Sequence, residues 1–298
     1  MQANDPPPRS AARKWLSRRR RSMTRAISRS EPRRAPLGAD GGLDMPPALP
    51  ACPAGWRTGP PDFIGVGIQR CGTTRWFDLI SAHPQVIRAT RRKELHYFDR
   101  FYDGGCTPAE LTRYHQYFPR SDGHKTGEWT PLYASAPWIP PLLAAAAPDA
   151  RLLVLLRDPV ERYLSGLQVD ISVARKRGAP LSRYAPLEQF VRGLYHAQLA
   201  GLLRHFDRSR VLVLQYERCT REPRAELRRT FEFLGLQDTE FAPELDAHPE
   251  YQPEKPALDA AARDAYVQSY RDDVLALIEA FPEIDVRLWP NFADLADR

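Results

Sequence analysis

Cysteine is scarce in this chain. Cys52, Cys71, Cys106 and Cys219 are its four cysteines in 298 residues, with no CxxC spacing and no histidines at matching intervals. A structural zinc site or a disulfide framework is therefore not expected, and reduced thiols are the default. Long apolar runs are also missing, since none approaches the ~18 residues that cross a bilayer. No hydrophobic stretch follows the arginines at 18–21, so neither a secretory nor a twin-arginine leader is expected. The expected location is the cytoplasm, with no transmembrane segment.

Positive charge is concentrated at one end. The formal net charge is +6, yet residues 1–36 hold ten arginines and Lys14 against Asp5 and Glu31, a local +9 that leaves −3 for the remainder. A mildly acidic body excludes a basic nucleic-acid-binding domain. Residues 1–60 are rich in Pro, Arg, Ser and Ala, with little apolar periodicity. Such a stretch buries too little surface to offset its ordering entropy, so it is expected to be a disordered tail. It is read as a solvated segment or an overextended start upstream of Met45, with attachment to anionic surfaces as the functional alternative. Residues 61–298 are expected to form the domain.

From residue 62 the pattern alternates strand and helix. FIGVGI at 63–68, RLLVLL at 151–156 and VLVLQY at 211–216 are short, nearly all-apolar runs, as in parallel strands covered on both faces. Helices are expected over 74–81, 111–118, 186–206 and 224–234, the last capped by Gly235. A helix is also expected to start at Asp158-Pro159, with Asp158 as N-cap. Tyr266, Tyr270, Val274, Leu277, Ile278 and Phe281 mark one face of a final helix. The fold class read from this order is α/β: a doubly wound parallel sheet flanked by helices, with ligands at the strand carboxyl ends.

The first strand leads into GIQRCGTTR, a glycine-bracketed turn ending in two threonines that can open a helix. Amides in such a turn form an anion cradle, and the helix dipole adds positive character. The spacing Gly67-x4-Gly72 is that of a phosphate loop, but Thr73 stands where a nucleotide triphosphatase needs lysine. A loop without that lysine suits a donor less charged than ATP, which points to sulfuryl rather than phosphoryl transfer.

The turn GIQRCGTTR resembles the 5′-phosphosulfate loop of sulfotransferases that use 3′-phosphoadenosine-5′-phosphosulfate (PAPS). LLRDPVERYLSGL at 155–167 is similar to their 3′-phosphate motif. KELHYFD at 93–99 resembles the catalytic strand of the heparan-sulfate and carbohydrate-modifying branch and its bacterial relatives. Order and spacing also agree through YHAQLAGLLRHF, VLVLQYE, FEFLGL and LWPNF, so the resemblance covers about residues 60–292. It implies PAPS as co-substrate, no metal, and a glycan or small-molecule hydroxyl as acceptor. Arg70, Cys71, Gly72, Thr73, Thr74 and Arg75 would hold the phosphosulfate, and Arg157 with Ser165 the 3′-phosphate. Tyr251 and Lys255, in PEYQPEKPAL, would contribute to a loop over the nucleotide.

Sulfuryl transfer needs a base for the incoming alcohol and positive charge at the leaving phosphate. By resemblance Glu94 is the base and Arg70 the leaving-group cation, while His96 orients the base, shares its proton or binds acceptor hydroxyls. If KELHYFD is extended, Glu94 and His96 share a face, with Asp99 in the next turn. The plain alternative is a solvated Lys93–Glu94 pair and a histidine at the core edge. The sequence departs from the family in having Arg70 for lysine, and Trp129 for the lysine that commonly follows the matching glutamate. Trp129 is read as a core residue that could instead stack on a sugar. Competing readings are a phosphate-loop kinase and a nucleotide-binding protein without turnover.

Overall fold

Five short runs form one parallel sheet: β1 (Phe63–Gly67), β2 (Val86–Ile87), β3 (Lys125–Trp129), β4 (Arg151–Leu156) and β5 (Val211–Gln215). Their order is β2-β3-β1-β4-β5. The structure is a computed structural model and describes residues 46–90, 92–238, 240–243 and 256–297. Every residue of β1 and β5, and all of β4 except Arg151, is buried, which is why these strands read as unbroken apolar runs. The helices are α1 (Thr73–Ser81), α2 (Pro108–His115), α3 (Ile139–Ala146), α4 (Pro159–Lys176) and α5 (Ala185–Val191). They continue with α6 (Tyr195–Leu203), α7 (Tyr216–Arg221), α8 (Pro223–Leu234) and α9 (Ala260–Ala280). The chain leaves β1 for the far edge at β2, returns through β3, and then adds β4 and β5 on the other side of β1. The sheet is thus doubly wound about β1, and the crevice at the carboxyl end of β1 is where such sheets bind ligands.

Local signals set most boundaries. Asp158 caps α4 by accepting from the amides of Val160 and Glu161, with Pro159 in the first turn. Gly235 ends α8 with φ 64°. On α9, Tyr270, Val274 and Leu277 are buried.

Two elements differ from expectation. Residues 186–206 do not form one helix but two, α5 and α6, separated at Arg192-Gly193-Leu194. The Tyr270 ring fills the space beside Gly193: a Cβ there would lie 2.7 Å from the ring, so a continuous helix with a side chain would collide with α9. The second difference is KELHYFD, which is not a strand. His96 adopts φ 51°, and the backbone N–H groups of the segment go to side chains. The Leu95 amide donates to Glu128 Oε2 and Thr130 Oγ1, at 3.2 and 3.0 Å. The Tyr97 amide donates to the Tyr133 hydroxyl at 3.0 Å. With the Leu95 and Tyr97 donors taken in this way, the segment does not extend the sheet, although the Lys93 carbonyl accepts from the Trp129 amide at 3.0 Å.

Residues 47–60, assigned above to the tail, contact the domain: the Tyr117 hydroxyl donates to the Pro47 carbonyl at 2.6 Å, and Arg57 forms an antiparallel bridge with Arg120.

Candidate functional site

The loop after β1 opens directly into α1. Its N-cap is Gly72 at φ 87°, with no side-chain cap and no acidic residue in the first turn. A Cβ at Gly72 would come within 2.8 Å of the Tyr216 ring, so positive φ and close packing both require glycine. The uncapped amides and the helix dipole leave an anion-binding end. Thr73 is buried and Thr74 exposed, and α1 is anchored by the bond from Trp76 Nε1 to Thr230 Oγ1, 3.2 Å. The Cys71 side chain faces inward, and burial pushes its thiol up to about 12. Arg75 occupies the first turn of α1.

Lys93 reaches this loop from KELHYFD. Its ammonium donates to Thr73 Oγ1 at 3.0 Å and Thr74 Oγ1 at 3.2 Å, and pairs with Glu94 Oε1 at 2.9 Å. At 8% exposure it is no solvated pair. Desolvation lowers its pKa, opposed by Glu94. Glu94 Oε2 meets His96 Nε2 at 3.1 Å, and His96 Nδ1 meets Asp99 Oδ2 at 2.8 Å. Partial burial alone would raise the Glu94 carboxyl, but the hydrogen bond from His96 and the charge of Lys93 outweigh it, and the net shift is downward. The hydrogen bond to Asp99, followed by that to Glu94, pushes His96 up to about 10. The imidazole is thus charged at neutral pH and donates from both nitrogens.

Beneath this cluster lies Glu128, 1% exposed. It accepts from the Leu95 amide, Thr130 Oγ1, the Tyr114 hydroxyl at 2.8 Å and the Tyr133 hydroxyl at 3.2 Å. Burial pushes its carboxyl up to about 7. Trp129 is fully buried, its Nε1 donating to the Gly67 carbonyl at 3.1 Å; it is core and unavailable for stacking on a sugar.

A second cationic site forms where β4 meets α4. The Arg157 guanidinium lies 4.6 Å above the Tyr216 ring, and the Arg157 carbonyl accepts from Tyr195 Oη at 2.8 Å. Arg70, at φ 69°, turns its side chain to the same place: Nε donates to Ser165 Oγ at 3.2 Å. Burial lowers the Arg70 pKa and the neighbouring charge of Arg157 lowers it further. Arg70 bonds to Ser165 from a sparsely populated backbone conformation, and Arg157 donates to the Arg70 carbonyl at 3.5 Å, so two guanidinium-bearing residues share this corner.

This corner is braced from the C-terminal region. Asn291 donates to Asp158 Oδ2 through its amide N–H and Nδ2, at 3.0 and 2.9 Å. Glu217 accepts from the Asp158 amide at 3.0 Å and from Trp289 Nε1 at 3.1 Å.

Arg70 of the second site and Lys93 of the first border one open cleft of about 260 Å³, whose lining also includes Thr73, Thr74, Glu94 and Arg192. The structure therefore brings together Arg70, Thr73, Thr74 and Glu94, with Ser165 and Arg157 joined through Arg70 and His96 behind Glu94. Tyr251 and Lys255 lie outside the described residues. Sequence reasoning missed the placement of Lys93, for which the lysine-free loop was the available signal. It also missed Arg192, which holds Gln69 Oε1 at 2.6 Å.

Comparison with known proteins agrees with this geometry. The chain matches the sulfotransferase domain over residues 60–252. Heparan sulfate glucosamine 3-O-sulfotransferase 6 of Mus musculus is 34% identical over 202 residues, covering 64% of this chain and 56% of that protein. Heparan sulfate glucosamine 3-O-sulfotransferase 3A1 of Mus musculus is 33% identical over 190 residues, covering 59% and 46%. The chain thus spans about half the length of these relatives. A sulfotransferase from Alicyclobacillus acidocaldarius has the same fold, with a TM-score of 0.60 at 22% identity, covering 76% of this chain and 98% of that one. The match over well more than half of its length shows that the chain belongs to the sulfotransferase domain family.

Proposed function

We propose that the protein transfers a sulfuryl group from PAPS to a hydroxyl of a glycan or glycosylated small molecule, with Glu94 as general base. The observation that carries this reading is one cleft lined by Arg70 of the second site together with Thr73, Thr74 and the Lys93–Glu94 pair beside the loop. The residues suit a donor with charge at two ends. The start of α1, with no side-chain cap and Gly72 at positive φ, fits a phosphosulfate. Arg70, Arg157 and Ser165 fit a ribose phosphate. PAPS supplies the sulfuryl group and a phosphate leaving group.

The remaining chemistry belongs to the side chains. Glu94 is held as a carboxylate and takes the acceptor's hydroxyl proton. His96, charged and clamped to Asp99, fixes the direction of that carboxylate and is a positioning residue. Lys93 stands between the base and Thr73 and Thr74, where it offsets negative charge as it develops at the loop. Arg70, expected from the sequence to neutralise the leaving phosphate, we assign to the second site with Arg157, on the support of its bond to Ser165 Oγ.

The test is transfer from radiolabelled PAPS to a panel of oligosaccharides and glycosylated small molecules, with mass detection of the added SO3. Labelled product is expected, and Glu94→Gln is expected to cut turnover by about 10²–10⁴ with affinity for the desulfated donor (PAP) unchanged. Near-normal turnover in Glu94→Gln would overturn the base. Donor binding with no transfer to any hydroxyl would leave a nucleotide-binding protein without turnover.

A further inference from the structure

Exposed large hydrophobic side chains are few among the described residues, and five of the seven fall between 173 and 191: Val173, Leu181, Tyr184, Leu187 and Val191. Val173 stands near the end of α4 and Leu181 in the connection to α5. Tyr184, Leu187 and Val191 recur at helical spacing along α5, whose other side buries Ala185 and Gln189. Leu187 is 61% exposed, Tyr184 52% and Val191 45%. Apolar groups of this size gathered on one short lobe mark an interaction surface, whereas single exposed ones need no explanation.

The charge around them is predominantly positive. Residues 173–192 contain Arg175, Lys176, Arg177, Arg183 and Arg192 against Glu188, a local +4 within a 37–298 body of −3. Arg175, Lys176 and Arg177 are exposed and form no ion pair with any described residue. The Arg183 guanidinium lies 4.6 Å above the Tyr184 ring and also donates to its hydroxyl. An aromatic body topped by a cation suits the boundary between an apolar and an anionic layer.

Two occupants would cover such a face: a second copy of the chain or a lipid bilayer. A two-fold contact would set the same +4 lobe against itself, and like charges facing each other oppose association. An anionic bilayer complements both features at once, offering an apolar interior for the side chains and negative headgroups for the cations. We propose that the α4–α5 lobe docks the protein peripherally on an anionic lipid bilayer, with Tyr184, Leu187 and Val191 entering the interface and Arg175, Lys176, Arg177 and Arg183 meeting the headgroups. Because Gly166 and Val169 of α4 and Gln189 of α5 also line the cleft, docking sets one wall of the cleft against the membrane. This surface stands independently of the sulfuryl-transfer reading.

The test uses the full chain with phosphatidylcholine vesicles, with and without phosphatidylserine, at physiological salt. Hydrogen exchange on the vesicle-bound protein is the localising measurement, because the basic residues 1–36 also attract anionic vesicles. Amides of 180–191 are expected to gain protection only with phosphatidylserine vesicles. L187S/V191S is expected to partition about tenfold more weakly, while its affinity for PAP stays unchanged. Vesicle binding without protection at 180–191, or unaltered partitioning of the variant, overturns the proposal. So does protection that appears without vesicles and grows with protein concentration alongside a doubled mass in light scattering, since the lobe would then be a dimer interface. The exchange measurement needs no variant, and donor affinity is read separately, so failure of docking and failure of the proposed activity are distinguishable.

Discussion

Replacing Lys93 by methionine removes one charge while keeping a stem of similar length. The ammonium lies 3.0 Å from Thr73 Oγ1, 3.2 Å from Thr74 Oγ1 and 2.9 Å from Glu94 Oε1. It is therefore the cation beside whatever the loop holds. Loss of a preorganised donor aimed at developing charge costs roughly 2.7–4 kcal/mol, a fall of about 10²–10³ in kcat. Some loss of stability is expected, because one partner of the Lys93–Glu94 pair is removed, moderated by the partial exposure of Glu94 and its bond to His96. Arg70→Met separates the two cations. Its guanidinium bonds to Ser165 at 3.2 Å, so it is expected to weaken PAP affinity by about 1.5–3 kcal/mol, with kcat retained within about tenfold. Single-turnover rates with PAPS and calorimetric PAP affinities are measured for both variants. If Arg70→Met loses kcat at normal PAP affinity and Lys93→Met loses neither, the charge assignment is refuted.

Arg157→Ala is expected to weaken PAP binding by about 1.5–3 kcal/mol while leaving adenosine 5′-phosphosulfate, which lacks the ribose phosphate, unaffected; equal losses for both ligands would count against the second site. Glu128 titrates at about 7 in the folded chain against an ordinary 4.5, so the native state holds an extra proton between those values. Its contribution is present in full below about pH 4.5 and is lost as pH rises to about 7, by ~3 kcal/mol. Thermal melts should show this decline in the wild type and not in Glu128→Gln. His96 is raised from 6.5 to about 10, so its stabilisation is complete below 6.5 and lost as pH rises through about 10. The pH profile of kcat/KM is expected to carry an alkaline limb near 10 that His96→Asn removes, and a limb at 6–7 would refute the clamped imidazolium.

What the sequence disclosed was local. Asp158-Pro159 reads as a helix start because a cap and a fixed φ act within four residues. The loop around Gly72 is legible because only glycine tolerates both its φ and its approach to Tyr216. The parallel α/β class follows from alternating apolar runs and helices. What stayed hidden depends on partners distant in sequence. KELHYFD looks extended by alternation, but Glu128, Thr130 and Tyr133 take its amide hydrogens and bend it through His96. The break at Gly193 is imposed by Tyr270, 77 positions later in the numbering. Lys93 beside Glu94 resembles a surface pair until the fold brings Thr73 and Thr74 against it.

The brace between Asp158 and Asn291 sets an order of events during synthesis. The partners are 133 residues apart, so all five strands emerge from the ribosome well before Asn291 and Trp289 exist. A nascent chain ending after α8 carries Arg157, Ser165 and the cap of α4, but leaves Asp158 Oδ2 without its Asn291 donors, and contacts of such long sequence separation slow folding. A chain that stops before residues 289–291 is expected to lose the brace on Asp158 beside Arg157 while keeping every strand of the sheet.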